Sequence, residues 1–200
     1  MKKLLAIALM LMATSAFAQT DTDVNGIGLY FDQNATINCN MTQAPGTFPA
    51  LYLIATNLNT NGISGWECAL RISPEPMMTT VTLNFSALNV LAYPLFNVGI
   101  PAIGGAGVGD PTIVLATVMV FYGGGAMNFG IGPCIPASLD GTGPVFAAGD
   151  NPGNLQFLHQ SSNVPWVGWD YTYCVATING TLCPVGNEEG SWGSVKALYQ

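Results

Sequence analysis

An all-β fold, built as an antiparallel β-sandwich, is what this sequence predicts, and three observations carry that reading. Short apolar segments alternate with polar residues at a period of two, the spacing of half-buried strands. Clusters of Gly, Pro and Asn cut the chain between them; the 200 residues include 24 Gly and 13 Pro. No helical periodicity is interleaved with these segments, which argues against βαβ units and for a sandwich or barrel.

The first element is a processing signal. Lys2 and Lys3 precede an apolar run over 4–12, and Ala16-Phe17-Ala18 supplies small residues just ahead of Gln19. That is the pattern of a secretory signal over 1–18, too short to span a membrane. No cysteine stands at the cut, so a lipid anchor is not indicated. A polar, disordered tail is expected over 19–25, one sandwich domain over 26–190, and a C-terminal tail or docking helix over 191–200. In that tail Trp192, Val195 and Tyr199 would share one side.

Within the domain the first strand is expected at 26–31 and another at 51–56. Over 65–72, Trp66, Cys68, Leu70 and Ile72 alternate with Glu67, Ala69 and Arg71. Over 79–85, Val81, Leu83 and Phe85 read as inward against Thr80, Thr82 and Asn84. Residues 112–122 are apolar on both faces, with Ile113, Leu115, Met119 and Phe121 against Val114, Val118 and Val120. A strand covered on both sides or a short buried helix fits that run. The β-branched content and the stop at Gly123-Gly124-Gly125 favour the strand. Met127, Phe129 and Ile131 mark another strand. Residues 167–178 and 181–185 read as a closing hairpin turning at Asn179-Gly180. The Gly- and Pro-rich stretch over 98–110 is read as a long loop; its Gly104-Gly105-Ala106-Gly107 run lacks the strand and helix of a phosphate cradle.

Charge narrows the function. With Lys2 and Lys3 removed, Arg71 and Lys196 stand against eleven Asp and Glu residues. No basic stripe exists to neutralise phosphates, so nucleic acid and anionic lipid are excluded as partners. The expected partners are an extracellular protein or a polysaccharide, with self-association through an edge strand or an apolar patch as a further expectation. No cofactor is expected. Five cysteines in an exported chain predict disulfides with one thiol left over. The expected bridges are Cys39–Cys68 and Cys134–Cys183, with Cys174 buried and reduced.

Chemistry-bearing patterns are sparse. Asp21, Asp23, Asn25 and Asp32 match the oxygen spacing of a calcium loop, but no entering helix precedes them, and they read as an acidic tail before the first strand. Trp166, Trp169, Tyr171 and Tyr173 crowd one stretch, the last three at period two. They read first as a core face, with Asp170 and Thr172 turned to solvent; a flat sugar-stacking strip is the alternative. Glu67, beside Trp66, is the best single acid for hydrolysis. His159 has no nucleophile elbow to serve, and no catalytic residue is assigned.

Two resemblances add to this. The run from Gly62-Ile63-Ser64-Gly65-Trp66 through Ile72, after the β-rich 51–57, resembles the early strands of cohesin-like β-sandwiches. That resemblance implies a cohesin-like or immunoglobulin-like sandwich, or a jelly roll, with no catalytic activity and a role in binding proteins or polysaccharide. The ending Ser191-Trp192-Gly193-Ser194-Val195-Lys196-Ala197-Leu198-Tyr199, with Gly28-Leu29-Tyr30-Phe31-Asp32 and Asn38-Cys39, is similar to the two ends of uncharacterised secreted bacterial proteins. It implies no function. The expectation is therefore a secreted or cell-surface interaction or structural module. A carbohydrate-binding module is the first alternative and a secreted hydrolase a minor one.

Overall fold

Two sheets packed face to face form the molecule. The computed structural model describes residues 23–101, 107 and 109–180. The positions of the expected secretory signal, of Asp21, of the expected second strand of the closing hairpin, of Cys183 and of the expected C-terminal tail or docking helix all lie outside those residues. In chain order the strands are β1 (Gly26–Tyr30), β2 (Cys39–Asn40), β3 (Ala50–Thr56), β4 (Ile63–Ser73), β5 (Thr79–Leu83), β6 (Leu88–Asn89) and β7 (Leu95–Gly99). They continue as β8 (Thr112–Val120), β9 (Met127–Gly132), β10 (Val145–Ala148), β11 (Leu155–Phe157), β12 (His159–Gln160) and β13 (Tyr173–Ile178).

The first sheet runs β12-β1-β3-β8-β5. The second follows the hydrogen-bonded path β11-β10-β4-β9-β13-β2, with β7 on β4 and β6 on β7. Pairing is antiparallel except for two-residue parallel ladders between β1 and β12 and between β13 and β2. Beside these two short closures the ladders are those of the antiparallel β-sandwich expected from the sequence. Strand β4 is the pivot of the second sheet. Ala69 pairs with both Leu95 and Gly132, and Glu67 with both Asn97 and Val145. So β7 lies along one edge of β4, while β9 and β10 share the other.

The alternating residues meet between the sheets. Ile27 and Leu29 of β1, Trp66, Cys68 and Leu70 of β4, and Phe129 and Ile131 of β9 belong to one buried cluster. Each such side chain removed from water contributes about 1.5–3 kcal/mol, which drives the two faces together. Val81 and Leu83 pack on this cluster as expected. Phe85 does not: it sits past the end of β5 at φ 60 and is exposed.

A bulge explains where simple alternation fails in β8. Ile54 pairs with Val114 but Leu53 pairs with Ala116, so Leu115 is the extra residue. An inserted residue shifts the phase of everything beyond it. Ile113 and Leu115 point inward before the bulge, and Ala116, Val118 and Val120 after it. Met119, grouped with Ile113 and Leu115 by period two, is turned out to solvent.

The expected disulfides are corrected as well. Cys68, Cys134 and Cys174 are buried free thiols. Cys39 is disulfide-bonded, and to none of these three. Strand β2, which carries Cys39, is separated from β4 by β9 and β13. Three strand spacings of about 4.8 Å place them about 14 Å apart, twice the reach of a disulfide. Burial raises the pKa of all three free thiols, with Glu67 adding to the effect at Cys68 and Cys134. An aromatic disulfide reagent at neutral pH should therefore leave Cys68, Cys134 and Cys174 untouched in the native protein. It should label all three once guanidinium unfolds it, as counted by mass spectrometry of labelled peptides.

Candidate functional site

The outer face of the second sheet carries the chemistry. Residues that alternate with the core residues on β4 and β9 point there: Glu67, Ala69 and Arg71 on β4, Gly130 and Gly132 on β9. Two loops, 133–144 and 161–172, cover this face, and each is held by a different device.

Loop 133–144 is latched by Glu67. The carboxylate is buried, and it accepts hydrogen bonds from the Ser138 N–H at 2.7 Å, the Ser138 hydroxyl at 2.6 Å and the Asn97 amide at 3.3 Å. Charge-assisted bonds of this kind offset the cost of removing a carboxylate from water. Glu67, Asn97 and Ser138 line a cleft of about 180 Å³ together with Trp66, Val145 and Leu155. Sites for small organic ligands usually start at about 300 Å³. Among the described residues Glu67 is the single acid lining that cleft, where a glycosidase needs a pair of carboxyls. Its oxygens face donors of its own chain. His159 lies on β12, exposed, with its backbone N–H donated to the Asn25 carbonyl.

Loop 161–172 rests on bare backbone. A Cβ at Gly130 would run into the Trp166 ring, and one at Gly132 into the Thr172 hydroxyl. The absence of both side chains gives β9 a flat strip on which Trp166 and Thr172 lie. The segment that sequence placed in a strand is here a tight turn, and β13 begins only at Tyr173. The Trp166 N–H donates to the Thr172 carbonyl at 2.8 Å, and the Cys174 N–H to the Val164 carbonyl at 2.8 Å. Gly168 at φ 88 and Tyr171 at φ 54 reverse the chain between them. Left-handed backbone at two positions in four is incompatible with a strand.

The expected core strip is thereby corrected. Trp166 is half-buried against Gly130 and Tyr173 half-buried in β13, but Trp169 is 49% and Tyr171 52% exposed. Thr172, expected in solvent, is buried; Asp170 is exposed. Val167, at the tip, is 95% exposed. The Arg71 guanidinium reaches from β4 and lies 3.9 Å from the centre of the Trp169 ring. A cation over an indole face at this range contributes about 0.5–2 kcal/mol, depending on desolvation. Arg71 is the one Lys or Arg among the described residues. Burial lowers its pKa, Tyr93 opposes that shift, and its Nε is buried without a hydrogen-bond partner among the described residues.

Asn25 and Asp32 of the calcium pattern are engaged by their own chain. Asn25 is buried, accepts the Asn59 N–H at 2.9 Å and donates to Gln156 at 3.2 Å. Asp32 closes a turn by accepting the N–H groups of Thr36 at 2.9 Å and Ile37 at 2.7 Å. No group of three or more His, Cys, Asp or Glu among the described residues is arranged to hold a metal. Ser138 and Asn97 were not found from sequence. Asn97 between Phe96 and Val98 does carry the alternation of β7; nothing around Ser138 announces its partner.

No protein-family model matches the chain, and no curated protein matches it. Among solved structures the chain is similar to the sixth cohesin of Acetivibrio cellulolyticus scaffoldin B, crystallised in complex with a mutant Cel5 dockerin. The TM-score is 0.45 and the identity 11%, over 69% of this chain and 94% of that one. It is also similar to a type II cohesin domain from the cellulosome of Acetivibrio cellulolyticus, at a TM-score of 0.43 and 13% identity, over 69% of this chain and 92% of that one. Likeness at this level says nothing about partners or chemistry.

Two substitutions test the devices. Glu67→Ala should lower unfolding free energy by about 1–3 kcal/mol, since it strands the Ser138 N–H and the Asn97 amide; urea denaturation measures it. Gly130→Ala should lower the thermal midpoint and change tryptophan fluorescence by displacing Trp166. A fluorescence spectrum identical to wild type would refute the contact.

Proposed function

We propose that this is an exported, non-enzymatic interaction module that holds its partner at the surface formed by Arg71, Trp169 and Tyr171. The observation that carries the reading is Arg71 stacked on the exposed ring of Trp169, at the tip of a turn anchored on the sheet. Trp, Tyr and Arg are the residue types that dominate binding hot spots, because each combines a large contact area with a directional polar group. A turn held at Trp166 and Thr172 presents them at little further entropic cost. The partner that fits is a protein carrying a carboxylate, since Arg71 supplies positive charge on an otherwise acidic molecule. Glu67, with its oxygens occupied, is a structural group in this reading. The compartment is the periplasm, the cell surface or the medium, in keeping with the signal over 1–18.

A second reading is a carbohydrate module using Trp166, Trp169, Tyr171 and Tyr173. The exposure of Trp169 and Tyr171 favours it. Their disposition weighs against it, because Arg71 covers one face of Trp169 and Trp166 is turned to Gly130.

Immobilised protein can be challenged with extracellular proteins from its source and, separately, with a polysaccharide panel. Trp169→Ala and Arg71→Ala should each weaken capture of a specific acidic protein at least tenfold, with the far-ultraviolet circular dichroism of both variants that of the folded wild type. Polysaccharide capture lost in Trp169→Ala but kept in Arg71→Ala would replace the first reading with the second. Equal capture by all variants would overturn both.

A further inference from the structure

We infer that β5 is the seam of a symmetric dimer, in which it pairs antiparallel with β5 of a second copy about a two-fold axis through Val81. The inference does not rest on the aromatic turn. It starts from the edge itself. Strand β5 ends the first sheet, and among the described residues β8 is its one hydrogen-bonded neighbour. The Phe121 N–H donates to the Met78 carbonyl, and the Asn84 N–H to the Leu115 carbonyl. Antiparallel ladders alternate, so Thr80 and Thr82 also aim their backbone groups at β8. Thr79, Val81 and Leu83 aim theirs away, and no backbone bond to these three from outside the ladder is found among the described residues.

Those outward groups are self-complementary. With Val81 opposite Val81 of the second copy, Thr79 falls opposite Leu83 in both directions. Each outward N–H then meets an outward carbonyl, and six ladder bonds form. On the solvent face Thr80 lies beside Thr82 of the second copy, a favourable cross-strand pair. Just outside the two ends of β5, Met77 and Phe85 are both exposed in the single copy, Met77 by 91%, and each offers apolar surface beside the seam. An isologous interface requires this self-matching of one patch, whereas an unrelated extended peptide does not.

Charge selects the same occupant. Residues 76–109 contain no Asp, Glu, Lys or Arg, although the chain as a whole is acidic. Exposed edges are ordinarily blocked by a charge, a proline or a bulge. Strand β5 has none of these. Leu88 and Val90, just beyond it, are exposed as well. Two copies meeting here bring no like charges together along the seam.

Sedimentation velocity on the purified protein tests this. Wild type should sediment as a dimer that dissociates on dilution. Thr80→Lys/Thr82→Lys and Thr80→Glu/Thr82→Glu should each sediment as monomers, because the register sets like charges side by side. Both sites are exposed, so circular dichroism and the thermal midpoint should remain those of wild type. Mixing the two variants should restore a dimer containing one copy of each. A monomeric wild type, or variants that still dimerise alone, would overturn the seam; a mixture that stays monomeric would overturn the register.

Discussion

Burial of β4 on both faces is the constraint from which the rest of the architecture follows. One face, through Trp66, Cys68 and Leu70, closes the core between the sheets. The other carries Glu67, Ala69 and Arg71, and it too is covered. A charged side chain on a covered face needs a compensating interaction as it leaves water. Glu67 therefore binds a loop to itself, and Arg71, at the strand's more open end, lays its guanidinium on an indole. The two covering loops are so different because the two polar residues beneath them require different partners.

Much of the fold was legible because period two is a direct consequence of strand geometry. The alternation over 65–72 identified β4 and its two faces, and Met127, Phe129 and Ile131 identified β9. The failures are equally physical. The bulge at Leu115 changes the phase of β8 without changing its composition, so Met119 is indistinguishable by pattern from its inward neighbours. The aromatic stretch reads as a strand because Trp169, Tyr171 and Tyr173 happen to keep period two. What ends the strand reading is the backbone, left-handed at Gly168 and Tyr171. Gly168 offered one signal of this; a tyrosine at positive φ offered none.

The candidate surface was half legible. Trp166, Trp169 and Tyr171 were evident as an aromatic cluster, but Arg71 lies nearly a hundred residues earlier and joins them only through the β4–β9 register. The latch is a similar case, since Glu67 and Ser138 are 71 residues apart. Cysteine pairing failed for a related reason. Sequence distance is silent on how many strands lie between two thiols, and here two strands separate β2 from β4.

The flat strip at Gly130 and Gly132 has an evolutionary consequence. It separates the footing of the turn, Trp166 and Thr172, from its crown between them, whose residues face water and meet β4 through Trp169 on Arg71. Such a layout lets the crown diverge under selection for new specificities while the footing stays constant. Descendants of this chain would then be expected to show a hypervariable tip above two invariant glycines, much as a tool changes its bit and keeps its chuck.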